Sequence, residues 1–65
     1  MSRIDALRNL IAKEPSDFMA RYMLANELFK AGGFAEAVSE LEVYLEQGDD
    51  EGAGYRLLSE ALLKL

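Results

Sequence analysis

A chain of 65 residues with no cysteine and no histidine forms one domain at most, without disulfide staples or the commonest transition-metal ligands. Twelve acidic residues against seven basic ones leave a net charge of −5, which argues against binding to DNA or RNA, where phosphate contacts dominate affinity. Charges interrupt every apolar run well short of the ~20 residues of a membrane span, and Asp5 and Arg8 stand where a signal peptide needs an apolar stretch, so a cytoplasmic location is expected.

In chain order, the first predicted helix runs from Ser2 to Lys13, with Ile4, Leu7, Leu10 and Ile11 on one face. Ser2 and Asp5 form a capping-box pattern, with aspartate in place of the usual glutamate. Pro15 closes the segment, because its ring disfavours the helical region for residue 14. A second helix starts near Asp17, a good N-cap residue, and runs to about Ala31 with Phe18, Tyr22, Leu24, Ala25 and Leu28 inward. Gly32 is then able to take the left-handed conformation that ends a helix, and Gly33 lets the chain reverse. A positive φ at Gly33 would make Gly33→Val damaging. The third helix begins at Phe34, and its apolar stripe is Phe34, Ala37, Val38, Leu41, Tyr44 and Leu45. After a break at Gly48-Asp49-Asp50, the fourth helix covers about Glu51 to Leu65, with Tyr55, Leu58, Ala61, Leu62 and Leu65 inward. Gly52 and Gly54 weaken its first turn by roughly 1 kcal/mol each. Loops this short make neighbouring helices antiparallel.

The helices are also related to one another. A shift of 34 residues carries Ile4, Leu7, Leu10 and Ile11 onto Val38, Leu41, Tyr44 and Leu45, and Leu24, Leu28, Phe29 and Lys30 onto Leu58, Leu62, Leu63 and Lys64. With these residues the chain resembles the tetratricopeptide repeat (TPR) family, whose unit is a 34-residue helix–turn–helix. The family's Leu plus small residue appears as Leu24-Ala25 and Leu58-Ser59, its turn glycine as Gly32, and its aromatic-x-Glu-Ala as Phe34, Glu36 and Ala37, followed by Leu41. Its closing proline is Pro15, replaced by Asp49 one unit later. Departures are Arg21 and Tyr55 at the family's Trp site, Leu28 and Leu62 at its next aromatic site, and Arg3 where a small residue is expected. The resemblance implies an all-α, right-handed array of helical hairpins made of four short antiparallel helices. It divides the single domain into the second helix of a partial unit (2–14), a complete unit (18–51) and the first helix of a third (52–65), with Ala25 packed against Ala37.

The resemblance also implies a non-catalytic protein-interaction scaffold that binds a partner peptide or protein along a concave groove. The groove residues carried over are Met19, Tyr22, Asn26, Phe29 and Lys30, with Arg56, Glu60 and Lys64 from the last helix. Alternatively these are ordinary polar positions, with Tyr22 and Phe29 packing on Tyr55 and adjacent side chains. About three units are needed to bury both faces of such an array, and this chain has the helices of two. Leu57, Leu58, Leu62, Leu63 and Leu65 would then form a bare apolar patch, which points to self-association as a homo-oligomer or to a piece of a longer array.

Other chemistry finds less support. Asp49 to Glu60 partly matches a calcium-binding EF-hand loop, but Ala53 and Leu57 stand where oxygen-bearing side chains are usual, so no metal or cofactor is expected. Seven acidic residues from Glu36 to Glu51 with no basic one among them read either as a solvated face or as a docking surface for a basic partner. Without cysteine or histidine, Ser2, Ser16, Ser39 and Ser59 have no partner for nucleophilic catalysis, so no enzyme is expected.

Overall fold

The structure, a computed structural model, describes residues 2–47 and 52–65. Among them are four helices and no strand: α1 (Arg3–Lys13), α2 (Phe18–Lys30), α3 (Phe34–Gln47) and α4 (Ala53–Lys64). The break expected at Gly48-Asp49-Asp50, together with Glu51, lies outside the described residues.

Helix ends follow local chemistry. The Ser2 hydroxyl accepts from the Asp5 N–H at 3.1 Å, while the Asp5 carboxylate lies 4.0 Å from Arg8. Glu14 leaves the helical region at φ −131°, as the following proline requires. Asp17 caps α2 by accepting from the Ala20 N–H at 3.0 Å. At the other end of α2, the Gly33 N–H donates to the Leu28 carbonyl at 2.8 Å and the Gly32 N–H to the Phe29 carbonyl at 3.1 Å, the two bonds of a Schellman motif. The positive φ belongs to Gly32, at +86°, and not to Gly33, so the strained position is one residue earlier than the Gly33→Val expectation placed it. Gly33 serves the next helix, its carbonyl accepting from the Ala37 N–H at 3.0 Å. Across the turn the rings of Phe29 and Phe34 meet edge to face at 5.2 Å and close that end of the hairpin. Gly52 precedes α4 and Gly54 lies buried inside it, so only one of the two glycines weakens the helix interior.

Each helix packs on the next, and α2 also touches α4, whereas α1 and α4 are not neighbours. Arg3 reaches Glu27 near the far end of α2 and Leu7 packs with Leu24, so α1 and α2 are antiparallel. Arg21 meets Glu40 while Phe29 meets Phe34, which makes α2 and α3 antiparallel as well. The Cα extents are 29 × 26 × 14 Å. At ~10 Å between packed helix axes, this is two helix layers thick and distinctly wider than thick, rather than square in section.

Two apolar clusters form the core. Leu7, Leu24, Leu28 and Ala37 make the first, with Ile4 and Ile11 against it. Ala25, Leu41 and Leu57 make the second, joined by Tyr22, Phe29 and Leu58. Ala25 and Ala37 are both fully buried, Ala25 in the cluster that holds Leu57 of α4 and Ala37 in the cluster that holds Leu7 of α1.

Several positions read as inward are exposed: Leu10, Phe18, Tyr55, Leu62 and Leu65. Ala20, Gly54 and Leu57 are buried instead. The 34-residue relation accounts for the difference at Leu62. Leu28 of α2 is 4% exposed beneath α3, while its equivalent in α4, Leu62, is 51% exposed because no described helix follows α4. Ala20 and its equivalent Gly54 are buried in both helices. Leu57, expected in a bare patch, is a core residue.

Arg21 and Glu40 carry a charge pair into the α2–α3 interface. Their side chains are 15% and 21% exposed, and the Arg21 Nη1 donates to Glu40 Oε1 at 2.8 Å. Nη2 reaches the Pro15 carbonyl at 3.4 Å, and Nε is buried without a hydrogen-bond partner. Removing one member leaves the other charge without its counterpart in a largely desolvated site. Glu40→Ala is therefore expected to cost about 1–2 kcal/mol, and the double change Arg21→Met with Glu40→Leu to recover most of it. Urea unfolding of the three variants checks this; a Glu40→Ala midpoint equal to that of the parent would refute it.

Candidate functional site

An open cleft of about 410 Å³ lies between α2 and α4, lined by Tyr22, Gly52, Ala53, Arg56, Leu57 and Glu60. Its origin is local. Gly52 carries a positive φ of 113° and Ala53 has only a methyl group, so the start of α4 presents little bulk toward Tyr22. Leu57 closes the floor as part of the second core cluster. Arg56 and Glu60 sit four residues apart on α4, hence on one side of that helix, and both are exposed. The ring of Tyr22 is held by Tyr44 of α3, with centroids 5.4 Å apart, so it is presented to the cleft in a defined place.

Of the groove residues expected from the sequence, the structure brings Tyr22, Arg56 and Glu60 to this cleft. Met19 is exposed on α2, one turn before Tyr22. Asn26 is half-buried further along α2. Phe29 and Lys30 are engaged elsewhere, Phe29 on Phe34 and the second cluster, Lys30 in an ion pair with Glu27 at 3.5 Å. Lys64 is exposed near the end of α4. The ring of Tyr22 meets that of Tyr44, and the ring of Phe29 meets that of Phe34. Gly52, Ala53 and Leu57 were not among the expected groove residues. The Gly52-Ala53-Gly54 run was the available signal, because small residues beside a tyrosine leave room.

The acidic run from Glu36 is partly neutralised. Arg8 holds Glu36 in a two-pronged contact, Nη2 to Oε1 at 2.6 Å and Nε to Oε2 at 3.2 Å, and Arg21 holds Glu40. Glu42 and Glu46 are exposed, and Asp49, Asp50 and Glu51 lie outside the described residues. Most of the proposed calcium loop, from Ala53 onward, is helical, and among the described residues no acidic cluster is arranged to hold a metal ion. No helix among the described residues is long and apolar enough to cross a membrane.

The cleft offers a phenol, a guanidinium and a carboxylate at an open surface, with an apolar floor. Such a set hydrogen-bonds and charge-pairs with a chain laid across it. Comparison with protein families, with curated proteins and with solved structures finds no match to this chain.

Proposed function

We propose that the chain is a non-catalytic protein-interaction module of TPR-like, right-handed hairpin architecture that receives a peptide segment of a partner in the cleft between α2 and α4. One observation carries the reading. Tyr22, Arg56 and Glu60, assigned to a groove from positions more than 30 residues apart, line one cleft between two helices that are not consecutive. Its volume falls in the ~300–1,000 Å³ range of ligand pockets. The zig-zag contact order, with α2 touching α4 and α1 remote from α4, supports stacked hairpins over a closed bundle.

Peptides selected from a random display library test it. A selected peptide, titrated into isotope-labelled protein, is expected to shift signals of Tyr22, Arg56 and Glu60 first. Arg56→Ala combined with Glu60→Ala is expected to weaken binding at least about tenfold, since charged hydrogen bonds are worth ~1.5–3 kcal/mol each, and to leave stability unchanged because both residues are exposed. Shifts confined to Leu58 and Leu62, or no selected peptide binding below ~1 mM, would count against the cleft.

A further inference from the structure

The side of α4 away from the cleft has a pattern the peptide reading does not use. At ~100° per residue, Tyr55, Leu58, Leu62 and Leu65 fall within an arc of roughly 80°. Their spacing of three, four and three is that of a coiled-coil seam. Tyr55, Leu62 and Leu65 are exposed, Leu65 by 69%, and Leu58 is half-buried. The three charged residues of α4, Arg56, Glu60 and Lys64, centre on the opposite side, roughly 180° around the helix. Flanking the seam are Ser59 on one side and the buried Ala61 and Gly54 on the other. No charge of α4 borders it.

This chain already covers the same face once. In α2 the equivalents of Leu58 and Leu62 are Leu24 and Leu28, buried to 1% and 4% beneath α3. A helix is therefore the shape that fits.

We infer that the occupant is α4 of a second copy, laid antiparallel about a two-fold axis level with Glu60. Reversal about residue 60 maps the seam onto itself: Tyr55 faces Leu65 of the second copy, and Leu58 faces Leu62. Self-complementarity of this kind is what an isologous dimer requires. For a chain of net charge −5, an uncharged seam bordered by uncharged residues is also where two copies approach with least repulsion. The competing arrangement stacks α4 on α1 of the next copy, since α1 is the 34-residue equivalent of α3. It fails at one position. Where α3 offers the fully buried Ala37, α1 offers Arg3, which is held to Glu27 at 3.7 Å. Head-to-tail stacking would also give rings or open polymers rather than a two-fold dimer.

Two helices of 12 residues, each ~18 Å long, bury less than the ~1,200 Å² of a standard interface, so the dimer is weak. Sedimentation equilibrium of the full chain from 10 µM to 1 mM is expected to show a monomer–dimer equilibrium. Leu62→Glu, at a half-exposed position that does not hold the fold, is expected to raise the Kd at least about thirtyfold. Because the chain has no cysteine, Leu58→Cys and Leu62→Cys copies can be mixed and oxidised, and the 58–62 cross-linked species is expected to exceed both like-with-like species. Any of three results overturns the inference: a monomer throughout the range, polymers that lengthen with concentration, or predominance of 58–58 and 62–62 links.

Discussion

Leu41→Ala is expected to lower the unfolding free energy by about 2–5 kcal/mol, measured by urea denaturation at low micromolar concentration. The side chain is fully buried in the cluster that joins Ala25 of α2 to Leu57 of α4, so truncation opens a cavity at the meeting point of three helices. A domain of this length has roughly 3–10 kcal/mol in all, so the variant should be partly unfolded without denaturant. The same measurement on a repeat-equivalent pair separates burial from residue type. Leu28→Ala should cost about 2–5 kcal/mol and Leu62→Ala under ~1, although the two leucines hold the same place in the 34-residue pattern. Equal losses at 28 and 62 would mean that α4 is covered in the monomer, contrary to the exposure of Leu62.

The turn between α2 and α3 gives the second large effect. Gly32→Val is expected to cost about 1–3 kcal/mol, because a β-branched residue has no comfortable place at φ +86°. Space is not the obstacle, as a Cβ there would meet nothing within 4 Å. Gly33→Ala should be milder, under ~1 kcal/mol, since its Cβ would make ordinary contact with Leu28 Cδ2 at 3.4 Å and its φ is not positive. Thermal or urea unfolding of the pair decides the matter. A larger loss at Gly33 than at Gly32 would place the strain one residue too early.

These expectations also show what a linear chain discloses. Helix limits were legible because they are written in adjacent residues: Ser2 and Asp17 cap, Pro15 stops, and Gly32 turns. Face assignment held where only one apolar stripe exists, as in α3, whose buried pair is Ala37 and Leu41. In α4 it held for Ala61 and failed for Tyr55, Leu62 and Leu65, because this helix has two stripes, Leu57 with Ala61 and Tyr55 with Leu58, Leu62 and Leu65. Periodicity alone does not say which of two stripes meets α3; the buried Gly54 and Leu57 do. Ion pairs such as Arg8 with Glu36, 28 residues apart, leave no mark in local sequence. The cleft was legible in part, through Tyr22, Arg56 and Glu60, which the resemblance implied as groove residues and which line it together. Phe29 and Lys30 were implied with them, but the turn and Glu27 claim them.

The ladder-like order of contacts bears on how the molecule opens. α1 contributes a single buried residue, Leu7, and meets α2 with Arg3 against Glu27 where the equivalent α3 and α4 positions are the fully buried alanines 37 and 61. Ile4 and Ile11 are only partly buried against the first cluster, so less apolar area resists its departure than joins α2 to α3, which share both clusters. Excursions from the native state therefore begin at the amino-terminal end, as a sub-global release of one helix that leaves the central hairpin intact, and backbone amides of α1 exchange with solvent ahead of those flanking Leu41. Since most of the packing lies between consecutive helices, reassembly needs mainly short chain closures, which favours fast folding.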